Sequence, residues 1–218
     1  GQSRLHLPHG WRGDRAFLPM KVLDGLVLHY SFDRDEGDRV TDRSGKANHG
    51  VVQGAKWVAD GKQGGAYTFD GRRDHILTPD SDSLDLTSNL TVVAWIKTTA
   101  PADGDGWDGI VVKGNEADRN YGLGRVDRTK AITWYIYGGQ GKWSFTSRNA
   151  LTPNEWHMLA TTWDGKRVAL FVDGEDAIDP SDPGNYGLNW NSPLRANNLP
   201  LLIGKISDAY PFSYLNDS

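Results

Sequence analysis

Three observations predict that this 218-residue chain is all-β, folded as a single antiparallel sandwich of short strands. The first is the stretch from Glu155 to Gly174, EWHMLATTWDGKRVALFVDG. It reads as two strands, Trp156–Trp163 and Arg167–Val172, joined through Asp164-Gly165, a dipeptide that suits the positive φ angles of a two-residue type I′ turn. Its apolar residues fall on both sides, with Met158, Ala160, Val168, Leu170 and Val172 expected on one and Leu159, Trp163 and Phe171 on the other. A hairpin apolar on both sides belongs inside a layered sheet. The second observation is negative: no window of ten residues or more carries a 3.6-residue apolar period. The third is that 26 Gly and 10 Pro are spread along the chain, as many short strands and tight turns require.

Taken in order, the strand signals are Leu26–Phe32, Gly50–Val52, Lys56–Val58, Ala66–Phe69, Ile76–Thr78, Leu90–Lys97, Gly109–Lys113, Tyr121–Val126, Ala131–Tyr137 and Trp143–Ser147. The Trp156–Val172 hairpin and Pro200–Gly204 follow. Each run is rich in β-branched or aromatic residues and bounded by Gly, Asp, Asn or Pro. In Ala131–Tyr137 the alternation is clean: Ile132, Trp134 and Ile136 take the inward side, so Tyr135 and Tyr137 point outward. Trp95, Trp156, Trp163, Phe32 and Phe69 are read as core residues, because their runs are apolar on both sides. Two longer connections stand out, 98–106 and 176–198; the second is rich in Asp, Asn, Pro and Gly yet carries Tyr186 and Trp190.

Composition excludes several classes of function. With no cysteine there are no disulfides, thiolate chemistry or thiolate metal sites. The net charge is −4, and the 28 acidic residues include only four Glu (Glu36, Glu116, Glu155, Glu175), so nucleic acid is a poor partner. No apolar run approaches the roughly 20 residues that span a bilayer, and residues 1–24 read as an extension without the apolar stretch of a signal peptide. Gly122-x-Gly124 and Gly138-Gly139 are strand and turn glycines, not phosphate cradles, and no H-E-x-x-H or G-x-S-x-G occurs.

The hairpin pattern W-H-x-x-A-x-T-W-D-G-x-x-x-x-L-F-V-D-G resembles the laminin-G-like, concanavalin A-like lectin/glucanase jelly-roll domains. GLVLHYSFDRDEG (25–37), DRSGKANHG (42–50), GGAYTFDG (64–71), SLDLTSNLTVVAWIK (83–97) and LPLLIGK (199–205) resemble further landmarks in the order that the family keeps. The resemblance implies a concanavalin A-like antiparallel β-sandwich over residues 25–218. The chain departs from it after the L-x-I-G strand, where ISDAYPFSYLNDS stands in place of the usual F-x-G-x-I-D-E-V-R-I-Y last strand. The resemblance also implies a structural calcium, with Asp33 and Asp42 as carboxylate ligands and Asn48 as an oxygen donor. The competing reading of the same loop is that Asp42 and Ser44 stabilise a turn that Asn48 and His49 cap.

The resemblance implies the outside of the cell, whether surface, periplasm or medium. A fold shared by lectins, adhesins, spacers and enzymes leaves the function to be argued from residues. Hydrolysis of glycosides needs a spaced pair of carboxylates. Glu116-x-Asp118 begins such a pattern, but Asn120 stands where a second Glu belongs, and Glu155 heads its strand alone. Nine Trp and eight Tyr are a generous supply of flat rings for the apolar faces of sugars. The expectation is a non-catalytic carbohydrate-binding or adhesive module of a secreted or surface protein. Its partners would be a polysaccharide and other domains of a larger protein. Trp107, Tyr135, Tyr137, Tyr186 and Trp190 are the candidate stacking residues, with Lys113, Arg119 and Arg125 making polar contacts. A diverged glycan-cleaving enzyme, using Glu116, Asp118 and Glu155, and a protein-binding spacer are the alternatives.

Overall fold

The computed structural model describes residues 24–71, 73–98, 107–115, 118–126, 131–138, 141–179, 181 and 193–205. In chain order the strands are β1 (Arg39–Val40), β2 (Gly50–Gln53), β3 (Lys56–Val58), β4 (Ala66–Thr68), β5 (His75–Thr78), β6 (Leu90–Lys97) and β7 (Trp107–Gly114). They continue with β8 (Arg119–Val126), β9 (Ala131–Gly138), β10 (Gly141–Ala150), β11 (Trp156–Trp163), β12 (Val168–Val172), β13 (Glu175–Asp176) and β14 (Leu201–Ile203). One short 3-10 turn, Asp82–Leu84, interrupts them, and among the described residues no helix is long and apolar enough to cross a membrane. The larger sheet runs β1-β2-β5-β14-β7-β8-β9-β10, the smaller β13-β12-β11-β6, and β3-β4 forms a separate ribbon. The pairing is antiparallel throughout, from β1-β2 to the central β8-β9 and β11-β6 ladders.

The two sheets bury a common core. Leu123, Ile132, Trp134 and Ile136 of the larger sheet meet Leu90, Ile96, Leu159, Trp163 and Leu170 of the smaller. A second cluster, Val40, Ala55, Tyr67, Phe69 and Ile76, lies under the β3-β4 ribbon, with Tyr30, Phe32 and Trp57 packed against it. The period-2 pattern of β9 therefore resolves as alternation predicts: Ile132, Trp134 and Ile136 face the core and Tyr135 and Tyr137 the other side.

Three details of the hairpin differ from the sequence reading. Trp163 pairs with Val168, so the loop is the four residues 164–167. Only Gly165 in it has positive φ, while the Asp164 carboxylate accepts the amides of Lys166 and Arg167 at 2.8 and 2.6 Å. The turn with both central residues at positive φ is the next one, Asp173 (53°) and Gly174 (86°), between β12 and β13. The faces also regroup, because direct partners of an antiparallel pair share a side. Leu170 lies opposite Thr161 and Val172 opposite Leu159, all inward, whereas Met158, Ala160 and Phe171 lie outward.

The segment expected as the opening strand, Leu26–Phe32, forms no ladder among the described residues. Side chains take several of its hydrogen bonds instead, and the Arg43 amide donates to the His29 carbonyl at 2.9 Å. Asp42 Oδ1 accepts the His29 amide at 2.9 Å, and the Val27 carbonyl accepts from Asn48 Nδ2 at 2.8 Å and Ser44 Oγ at 3.1 Å. Asp42 also takes the amides of Ser44 and Asn48 and the Ser44 hydroxyl. Asn48 Oδ1 accepts from Ser81 Oγ at 2.7 Å. Burial pushes the Asp42 carboxyl up, but hydrogen bonds from Ser44, His29 and Asn48 outweigh it and hold the group below its ordinary value.

Lys113 is the other internal knot. It is wholly buried, on the inward side of β7 where that strand meets Leu201 and Tyr121. Its ammonium donates to Asp80 Oδ1 at 2.7 Å, the Leu199 carbonyl at 2.7 Å and the Asn197 carbonyl at 2.8 Å, with Asp85 Oδ1 at 3.0 Å. Tyr121 lies beside it, its phenol pushed up by burial and then by Asp85.

Lys113→Ala is expected to lose about 3–5 kcal/mol of stability in urea unfolding, since it strands Asp85 and Asp80 without their cation. Asp42→Ala is expected to lose about 3 kcal/mol, to the same degree in excess calcium and in chelator. Because the folded Asp42 carboxyl titrates below its unfolded value, its contribution is present above about pH 4 and vanishes as pH falls through the folded pKa. Wild type should accordingly lose stability more steeply than Asp42→Ala in unfolding curves taken below that pH.

Candidate functional site

The site grows from an irregularity in β8. Lys113 pairs with Tyr121 and Gly114 with Arg119, leaving Asn120 without an opposite residue. Such a bulge flips the side of the strand on which the preceding residue points. Tyr121 and Leu123 therefore face the core while Arg119 lies on the outer side. Asn120 is buried at the bend, its Nδ2 donating to the carbonyls of Leu86 and Arg195 at 3.2 and 2.8 Å.

On that outer side Arg119 crosses Gly122. A Cβ at Gly122 would stand 3.5 Å from the Arg119 Cδ, ordinary van der Waals contact, so the arginine stem passes directly over this glycine. The guanidinium carbon then sits 5.5 Å from the Tyr135 ring centre and 5.6 Å from that of Tyr137. Register explains the meeting: Gly122 lies opposite Tyr135 and Gly124 opposite Thr133, two small residues facing larger ones across the β8-β9 ladder. Tyr135, Thr133 and Arg119 are buried, and Tyr137 is half-buried. On the neighbouring strand β10, Ser144 pairs with Tyr135 and Thr146 with Thr133, both half-buried.

The 193–199 segment forms the rim. The Arg195 amide donates to the Tyr137 carbonyl at 2.8 Å, Asn197 Nδ2 to the Asp118 carbonyl at 2.9 Å, and Arg195 Nε lies 3.4 Å from Asp118 Oδ1. This last pair is exposed, a mixed-charge rim beside Tyr137. Nothing in the composition marks Arg195 or Asp118 as rim residues; only the fold brings residue 195 to β9.

The predicted site residues thus separate. Arg119, Tyr135 and Tyr137 come together. Lys113 and Arg125 are corrected: both turn inward, Lys113 to Asp80 and Asp85, and Arg125 to Asp108, whose Oδ2 accepts its Nε at 2.8 Å. The reason is that each falls at an end of the β7-β8 ladder on its core side, where an ion pair closes the sandwich. Trp107 begins β7, but its side chain, like Tyr186 and Trp190, lies outside the described residues. Trp95 and Trp156, expected in the core, sit half-buried on the outer side of the smaller sheet, where Lys62 and Lys97 cover their rings at 4.9 and 5.1 Å.

The donors expected for calcium do not fit it. Asp42 and Asn48 spend their side-chain oxygens on the hydrogen bonds already described, which is the turn-stabilising arrangement of that loop. Asp33 lies by Gly64 and lines a cavity of about 10 Å³ with Phe32, Glu36, Thr41, Arg43 and Tyr67, room for about one water. Among the described residues no group of three or more His, Asp or Glu is placed to hold a metal. Of the carboxylates weighed for hydrolysis, Asp118 faces Arg195 and Glu155 precedes β11 of the other sheet, while Glu116 lies outside the described residues.

A profile of the concanavalin A-like lectin/glucanases superfamily matches residues 70–213. The basement membrane-specific heparan sulfate proteoglycan core protein of Mus musculus is 27% identical over 174 residues, covering 74% of this chain and 5% of that protein. Domain 4 of AbnA, a GH43 extracellular arabinanase from Geobacillus stearothermophilus solved with arabinotriose, superposes with a TM-score of 0.63 over 87% of each chain at 19% identity. Trypanosoma rangeli sialidase in complex with the inhibitor DANA gives 0.56 over 84% of this chain and 28% of that one, at 15% identity. At these identities the two structures bear on the fold alone.

Proposed function

The chain belongs to the concanavalin A-like lectin/glucanases superfamily, and we propose that it is a non-catalytic glycan-binding module whose binding surface is the outer side of β8 and β9. The observation that carries the reading is the Arg119–Tyr135–Tyr137 cluster: a cation held against two aromatic rings on the side of the sheet turned away from the core. A half-buried tyrosine offers an apolar face to a sugar ring, and an adjacent guanidinium offers forked donors to its oxygens. Ser144, Thr146 and the Asp118–Arg195 rim supply further donors and acceptors at the same surface. Neighbours of the same fold include a domain solved with arabinotriose, which lends support to a sugar as the ligand class.

The module works outside the cell as one part of a larger protein. That placement draws on its relatives, a basement-membrane protein and an extracellular arabinanase, and on the chain's spanning 5% of the first. The catalytic alternative is weaker, because Asp118 is engaged by Arg195 and Glu155 stands at the opposite sheet. Calcium has no part in the proposed binding.

Native affinity electrophoresis through gels cast with plant, algal and animal polysaccharides tests the reading. At least one polysaccharide is expected to retard the wild-type chain. Tyr137→Ala should lose about tenfold in affinity or more, with its circular dichroism and melting close to wild type. Retardation unchanged by Tyr137→Ala would move the ligand elsewhere on the domain, and no retardation by any polysaccharide would reject the function.

A further inference from the structure

We infer that the Arg119 site is built for an acidic sugar, one whose carboxylate docks on the Arg119 guanidinium; the inference rests on the glycan-binding reading above. Three cations are buried along β7 and β8, namely Lys113, Arg119 and Arg125. Two of them face carboxylates, Lys113 at Asp80 and Asp85 and Arg125 at Asp108. Arg119 has no carboxylate within ion-pair distance among the described residues, although it is only 4% exposed. Its Nε is shut from solvent and has no hydrogen-bond partner among the described residues. The nearest acid along the chain, Asp118, is turned to Arg195.

A guanidinium stays charged at any pH the protein meets, so burial without a counter-charge is costly and cannot be relieved by losing a proton. The two tyrosine rings offset part of that cost through their faces but leave the Nε–H unmet. The guanidinium N–H groups form a planar fork, the shape that matches a carboxylate with two parallel hydrogen bonds. A second unmet group lies on the same side of the sheet. Thr133 is 1% exposed, and its Oγ1 has no partner among the described residues. It stands two residues from Tyr135 on β9 and opposite Gly124 of β8. A carboxylate for Arg119, a hydroxyl for Thr133 and a ring face for Tyr137 together describe a uronic or sialic acid residue.

The test is isothermal titration of the full chain with oligogalacturonate, oligomannuronate and sialyllactose, each beside its carboxyl methyl ester, and with neutral arabinan and xylan oligosaccharides. The ester keeps the ring and removes the charge, so the comparison needs no variant. At least one acid is expected to bind wild type about tenfold more tightly than its ester, and Arg119→Gln should bring acid and ester together. Binding of neutral or esterified sugars with no advantage for any acid would overturn the acidic-sugar inference while leaving the glycan site standing. Binding of no sugar in any form would overturn both. An acid preference that persists in Arg119→Gln, with the variant folded by circular dichroism, would also overturn the assignment to Arg119.

Discussion

One buried ammonium holds this end of the sandwich together. Lys113 lies among apolar neighbours on the inner side of β7, and its protons are answered by Asp80, Asn197 and Leu199, with Asp85 beside them. Those partners come from two connections far apart in sequence, one leading into β6 and one leading into β14. A charge in such surroundings tolerates no loose geometry, because each unmet proton would cost more than the loops gain in freedom. The segments it pins are those that form the rim. Asn197, fixed by Lys113, in turn binds the Asp118 carbonyl, and Arg195 docks on β9. The outer surface thus inherits its order from a side chain on the opposite face of the sheet.

Strand β8 carries two arginines with opposite fates. Arg125 follows the regular alternation, falls on the core side and is neutralised by Asp108. Arg119 precedes the bulge at Asn120 and lands on the outer side, over Gly122 and against two tyrosine rings. The residue type is the same and the environment is not. A one-residue irregularity in pairing decides which cation serves the fold and which is turned away from its core.

The connection that supplies Asp80 also carries Ser81 and Ser83, which bond Asn48, and there hydrogen bonding is solved without a ladder among the described residues. The 26–32 segment leans on the Asp42 and Asn48 side chains, which meet the His29 amide and the Val27 carbonyl that a neighbouring strand would otherwise meet. The same hydrogen bonds occupy the side-chain oxygens of the loop that resembles a calcium-framing segment. On the smaller sheet, Trp95 and Trp156 keep one face on the strand surface while lysine stems and ammonium groups cover the other.

Much of the architecture was legible in local sequence, because strand patterning is a short-range property. The alternation in Ala131–Tyr137, the apolar run at Leu90–Lys97 and the Asp-Gly corners follow from side-chain period and backbone freedom, which act over a few residues. For the same reason the outward placement of Tyr135 and Tyr137 could be read directly. What the sequence could not decide were matters of register and of distant partners. The direction of Arg119 depends on a bulge set by β7. The inward turn of Lys113 depends on Asp80, Asp85 and Asn197, residues up to 84 positions away. The half-buried standing of Trp95 depends on which side of a sheet the other sheet covers. The amino-acid sequence by itself determined the kind of fold and the supply of aromatic and charged groups; only the tertiary structure decided which of those groups neutralise one another, because pairing of buried charges is a contest among residues that meet only once the chain has folded.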